Sequence, residues 1–144
     1  MNVVFLSPFF PGEMLHFTKA LAEVGANVIG VGDTPRQYIP ENIKPFLKAY
    51  VQVSSIMSED LVVKEVVEAL QGIPIDRIES LWEPLVLTAA KLREIYDIPG
   101  MDYNTVLRFR DKQLMKERIR EENIRAPFSF RCETEDEIIA AKDK

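Results

Sequence analysis

Short apolar runs alternate along the chain with stretches whose apolar residues return every three or four positions. The run Val3-Val4-Phe5-Leu6 has no polar break, the pattern of a strand buried on both faces. A loop follows over residues 8–12. Met14, Phe17, Leu21 and Val24 then fall on one helical face, with Gly25 where a left-handed C-cap residue belongs. Val28-Ile29-Gly30-Val31 predicts a second strand, closed by Gly32-Asp33-Thr34-Pro35. The polar, proline-punctuated stretch to Lys48 predicts one helical turn, over residues 43–47, and Tyr50-Val51-Gln52-Val53 a third strand. Ser58 stands as an N-cap with Glu59 and Asp60 behind it, and Val63, Val66, Val67 and Leu70 form one buried stripe. A fourth strand is predicted over residues 78–82, and the helix after it carries Leu85, Ala89, Leu92 and Tyr96.

Strands alternating with helices across short loops predict a parallel sheet with right-handed crossovers, an α/β fold in three α/β/α layers of Rossmann-like type. Pro99-Gly100 interrupts the pattern, and a boundary near residues 97–104 divides a first domain, residues 1–100, from residues 101–144. In the second part Asp102 is positioned to cap a short helix to residue 109. Asp111 caps another, to about residue 122, which Asn123 ends in the left-handed conformation. A short strand is predicted over residues 128–130, and Thr134 caps a last helix with Glu135 and Asp136 in its first turn.

Composition acts chiefly by exclusion. With 47% apolar and 28% charged residues in 144, the chain is an ordinary globular one rather than disordered. The net charge of −5 argues against a general nucleic-acid binder. One cysteine, Cys132, and one histidine exclude an internal disulfide and a zinc site. No apolar run approaches the roughly 18 residues of a membrane helix. The N-terminus lacks the basic start of a signal peptide, so a soluble, cytoplasmic protein is expected.

Open α/β sheets bind ligands at the carboxyl ends of their strands, which directs attention to three loops. The first, residues 7–13, has neither Gly-x-Gly-x-x-Gly nor the Gly-Lys-Ser/Thr of a P-loop, and Glu13 occupies the helix start that an anion would need. His16, one turn in, has no acid or nucleophile beside it and reads as a partly exposed helix residue. In the second loop Asp33 stands where Rossmann proteins hold a ribose hydroxyl, but before Thr-Pro it reads first as an Asx-turn with its own backbone. In the third, Glu79 and Glu83 are two carboxylates at a strand's mouth, placed either to bind a substrate amine or, for Glu83, to complement a helix N-terminus. Trp82 between them reads as core before stacking platform. Residues 108–125 carry seven bases against four acids. They form either a solvated helix face or, at Arg110 and Lys112 around the Asp111 cap, a polyphosphate contact.

The stretch Ile75-Asp76-Arg77-Ile78-Glu79-Ser80, then Leu92-Arg93-Glu94, Ile98-Pro99-Gly100-Met101 and Leu107-Arg108-Phe109-Arg110-Asp111-Lys112-Gln113-Leu114-Met115-Lys116, resembles the N-terminal part of ATP-grasp ligases. Gly32-Asp33-Thr34-Pro35 is similar to the carboxylate–amine ligase branch. The resemblance covers most of the chain and is strongest over residues 75–130. It implies a Rossmann-like pre-ATP-grasp domain leading through a Pro-Gly loop into the start of an ATP clamp. It also implies a reaction in which ATP and magnesium convert a carboxylate to an acyl phosphate that an amine attacks. By position Lys112 matches the family lysine that touches the nucleotide phosphates, Arg110 lies nearby, and Glu83 matches an acid near substrate in some members. The resemblance further implies that the next nucleotide-binding lysine, the adenine pocket, the flap and the magnesium ligands lie downstream of Lys144. Residues 1–144 alone are therefore expected to hydrolyse no ATP and bind neither cofactor tightly, with no catalytic residue or metal ligand among them.

A different class of function fits the same residues: a free-standing Rossmann-like module that binds a small ligand or a second copy without catalysis. Residues 104–144 would then be an arm, and a possible homodimer follows. As a fragment, the chain would leave the strand at residues 128–130 unpaired and the arm either mobile or swapped into a dimer. A nicotinamide-dependent oxidoreductase would need the missing glycine fingerprint.

Overall fold

A computed structural model describes residues 1–127, 129 and 131–142. It divides into two compact units, Met1–Tyr103 and Asn104–Lys144.

In the first unit four strands, β1 (Asn2–Leu6), β2 (Asn27–Gly32), β3 (Ala49–Gln52) and β4 (Arg77–Glu79), form one parallel sheet in the order β3-β2-β1-β4. Register pairs Val4 with Ile29 on one side and with Ile78 on the other, placing the most apolar strand in the middle. Three helices alternate with the strands: α1 (Met14–Glu23), α2 (Glu59–Ala69) and α3 (Val86–Ile95). On one face, Val4, Leu6, Ile29, Val31 and Ile78 pack with Val62 and Val66 of α2 and Ala89 and Leu92 of α3. On the other, Phe5 and Val28 meet Met14, with Leu21 partly buried against them, and Ile39, Ile43 and Tyr50 form a smaller cluster. These are the expected three α/β/α layers.

The periodicity needed local correction. In α1 the buried residues are Met14 and Thr18, whereas Phe17 is 46% exposed and Val24, past the helix end, 80%. Thr18 turns inward because its hydroxyl donates to Pro8 O at 2.5 Å, which ties the helix to the preceding loop. Gly25 does take the left-handed conformation, at φ +87°. In α2 the buried line is Val62 and Val66, continued by Leu70 just past the helix end, with Val63 and Val67 only partly covered. Ser58 occupies the N-cap position but makes no side-chain capping bond. The turn at Lys44–Phe46 is a 3-10 turn, and a second one at Arg36–Tyr38 had no signal in the apolar pattern.

The fourth strand is shorter than predicted. It stops at Glu79, because Ser80 Oγ accepts from Trp82 N at 3.3 Å and turns the chain out of the sheet. A 3-10 turn, Glu83–Leu85, then leads into α3.

The second unit contains α5 (Lys112–Glu121) and α6 (Glu135–Ala141), and α4 (Tyr103–Arg110) spans the boundary. Asp111 caps α5 by accepting from Gln113 N at 2.8 Å and Leu114 N at 3.2 Å. Asn123 follows the helix at φ +57°. Thr134 and Glu137 form a capping box on α6. The strand predicted over residues 128–130 lies outside the described residues.

Candidate functional site

All four strands point their carboxyl ends at one cavity of about 540 Å³. It is bordered by Ser7 to Phe10 after β1, by Gly32 to Thr34 after β2, by Ile56 and Met57 after β3 and by Trp82 after β4. A doubly wound sheet opens its crevice at this end, so the place follows from strand order.

The rim is built by local bonds. Ser7, at φ +56°, donates from its buried hydroxyl to Phe10 O at 2.5 Å, folding the first loop back over the strand end. Phe10 then meets Trp82 edge to face, ring centroids 5.0 Å apart, and Phe9 stacks on Tyr50 at 6.1 Å. Trp82 thus has both roles: it packs against the core and lines the cavity.

Asp33 bonds farther along the chain than an Asx-turn would. Its Oδ2 accepts from Ile56 N at 3.0 Å, joining the loop after β2 to the loop after β3. Beside it Tyr50 donates from its hydroxyl to Thr34 O at 3.0 Å. Gly32 makes that reach possible, since a Cβ there would lie 2.6 Å from the Tyr50 hydroxyl. Burial, reinforced by the Asp33 charge, pushes the Tyr50 phenol up to about 12.

Of the three acids singled out, only Asp33 lines this cavity. Glu79 ends β4 with its Oε2 3.6 Å from Arg93 Nη1, so its charge is directed to a neighbouring helix. Glu83 begins the 3-10 turn before α3, where its charge complements the free N–H groups. His16 is exposed on α1, away from the cavity. Phe10 lies in the first loop that the sequence singled out, whereas Tyr38 and Met57 were not anticipated and had no signal in the apolar pattern.

Within the second unit a cavity of about 350 Å³ is lined by Lys112, Gln113, Lys116, Ser129, Arg131 and Cys132. Lys112 and Lys116 sit one turn apart on α5. Arg131 joins them through its 2.6 Å bond to Asp111 Oδ2, which leaves the Asp111 carboxyl below its usual range, chiefly because of that bond and the capping N–H groups. The Ser129 hydroxyl is buried with no partner among the described residues. Arg110 ends α4 and does not line this cavity. Arg118 instead pairs with Glu121 and Glu122, so part of the basic cluster is an ordinary solvated face. Sequence reasoning missed Arg131, which lies 20 residues from its carboxylate partner.

Among the described residues no group of three His, Cys, Asp or Glu side chains converges as a metal site. No helix among them is long and apolar enough to cross a membrane.

No protein-family model matches the sequence, and no curated protein matches it. Solved structures do. An L-amino acid ligase from Bacillus licheniformis superposes with a TM-score of 0.70 at 20% identity, over 88% of this chain and 31% of its own. A phosphoribosylglycinamide synthetase from Anaerococcus prevotii gives 0.72 at 15%, over 99% and 34%. The glycinamide-RNase-transformylase T of Mycobacterium tuberculosis gives 0.63 at 19%, over 98% and 38%. The chain spans about a third of the length of these proteins. The α/β fold anticipated from the sequence is the fold this chain shares with them.

Proposed function

We propose that this chain is the N-terminal portion of an ATP-dependent carboxylate–amine ligase of the ATP-grasp family. In this reading the strand-end cavity receives a small-molecule substrate, and the start of α5 contributes to the site for the ATP phosphates. The observation that carries it is the convergence of Lys112, Lys116 and Arg131 on one cavity beside the capped start of α5, in a chain with the fold of such ligases.

The chemistry asks for such a cluster. A carboxylate oxygen attacks the terminal phosphorus of ATP, the bond to the bridging oxygen breaks and ADP leaves. An amine then forms the new C–N bond as phosphate departs and the amine loses a proton. Charge on the transferring phosphoryl group must be met by cations already in place. Lys112 is the residue proposed to touch the phosphates, with Arg110 behind it at the end of α4. Of the carboxylates Asp33, Glu79 and Glu83, Asp33 is the one proposed to face substrate in this cavity, which it lines. Magnesium belongs to the proposed reaction of the intact enzyme. The described residues offer it no donor set, and no step on this chain is assigned to it.

The test begins with the mass of the polypeptide as its own cells produce it; a species heavier than 16.5 kDa supports the reading. In that polypeptide Lys112→Ala should raise the KM for ATP about 10–100-fold, the worth of one charge-assisted hydrogen bond. Residues 1–144 alone should release no phosphate from ATP. A magnesium-dependent rate from them that vanishes in Lys112→Ala would refute the fragment reading.

A further inference from the structure

The strand-end cavity is unusual in what surrounds its single acid. Phe9, Phe10, Tyr38, Met57 and Trp82 give its lining an aromatic and apolar character, and Asp33 is the carboxylate among the described residues there. None of the described lining residues is Lys or Arg. A phosphate or carboxylate group placed in it would meet the Asp33 charge with no counter-ion.

The apolar side chains at the mouth are exposed in a way a core does not explain. Phe10 is 58% exposed, Tyr38 70% and Met57 61%, and they come from three different loops around one opening. A ligand with an apolar body would cover them at once, and aromatic faces also attract a cation. Asp33 is held ready, because the Ile56 N–H at 3.0 Å fixes one of its oxygens and so orients the carboxylate.

We infer that this cavity takes an amine whose ammonium group pairs with Asp33 and whose apolar, ring-sized body packs among Phe10, Tyr38, Met57 and Trp82. The assignment rests on the ligase reading for its place in the reaction, where the bound ammonium first gives up a proton to water and the free amine is then the nucleophile. It excludes phosphorylated amines from this cavity, since nothing lining it would neutralise the phosphate.

Trp82 is the sole tryptophan of the chain, so its fluorescence reports on this cavity directly. The probes are phenethylamine, 3-phenylpropionate of the same ring and chain but opposite charge, and ethylamine without the ring. Phenethylamine should give a saturable change in Trp82 emission, and the other two should bind at least about tenfold more weakly. In Asp33→Asn the preference for phenethylamine over 3-phenylpropionate should fall at least about tenfold, with an unchanged circular dichroism spectrum because the amide oxygen still accepts from Ile56 N. If that variant fails to fold, Tyr38→Ala serves, since its side chain is largely exposed; it should weaken phenethylamine about threefold or more by loss of apolar contact.

Equal binding of 3-phenylpropionate, no saturable response to phenethylamine at millimolar concentration, or a preference that survives Asp33→Asn in folded protein would overturn the inference. ATP-dependent phosphate release in the full polypeptide separates this from the ligase reading. Release that needs Lys112 while the cavity prefers 3-phenylpropionate leaves the ligase and removes the amine. Phenethylamine binding as described without any such release leaves the cavity's ligand class and removes the ligase.

Discussion

Arg93 ties three parts of the first unit together, and removing it tests whether a buried guanidinium holds this fold. It is 8% exposed, donates to Ile78 O of β4 at 2.9 Å and to Met101 O at 3.2 Å, and lies 3.6 Å from the Glu79 carboxylate. Gly100 makes room for it, since a Cβ there would stand 2.8 Å from Arg93 Cδ. Arg93→Met keeps the apolar stem and deletes the donors. Two charge-assisted hydrogen bonds are worth about 3–6 kcal/mol together. The half-exposed Glu79 pair adds less than about 1 kcal/mol. Against this, methionine removes a desolvated charge whose Nε is buried without a partner among the described residues, returning about 1–2 kcal/mol. The balance is a loss of about 2–4 kcal/mol. Urea unfolding followed by Trp82 fluorescence should show a midpoint lowered by about 1–3 M at unchanged slope. Arg93→Lys should fall between, because an ammonium cannot hold both carbonyls in the guanidinium's geometry. A midpoint for Arg93→Met within about 0.3 M of the parent, or above it, would refute the reasoning and show that desolvation cancels the bonds.

Two further outcomes follow from ionisation, beside the Lys112 and Asp33 tests above. Because the Tyr50 phenol is pushed up to about 12 in the folded chain, its stabilisation is complete below about pH 10, the unfolded value, and is lost as pH rises toward 12. After allowance for solvent screening this amounts to about 1–2 kcal/mol, and it should be absent from the pH–stability profile of Tyr50→Phe. The Asp111 carboxyl is held low by Arg131 and the α5 cap, so its contribution is present above the ordinary Asp range and lost as pH falls below about 4. Asp111→Asn should flatten the acid limb of the α-helical circular dichroism signal; an unchanged limb would mean that the cap and ion pair do not stabilise α5.

Much of this architecture follows from interactions within a few residues. The alternation of β1, α1, β2 and β3 is written in the apolar periods, and the ends of α5 and α6 in Asp111, Asn123 and Thr134, whose capping bonds span two or three positions. Where a partner lay farther off, the pattern misled. Phe17 belongs by period to a buried stripe, but Thr18 faces inward because Pro8 O is there to accept its hydroxyl. Residues 78–82 are apolar enough to continue β4, but Ser80 turns the chain at Glu79 and releases Trp82 to the cavity.

The site divides along the same line. The sequence by itself determined which acids and bases stand at loop and helix starts, because turns and caps depend on local backbone geometry. Only the tertiary structure decided that Asp33 lines the cavity while Glu79 faces Arg93, and that Arg131 joins Lys112 and Lys116. The first of those outcomes depends on strand order and on segments distant in sequence being brought to one end of the sheet, as Asp33 is to Ile56, 23 residues on, and Tyr50 to Thr34, 16 residues back. A side chain's charge and size are local properties, whereas the group it neutralises is set by which distant backbone the packed core places beside it.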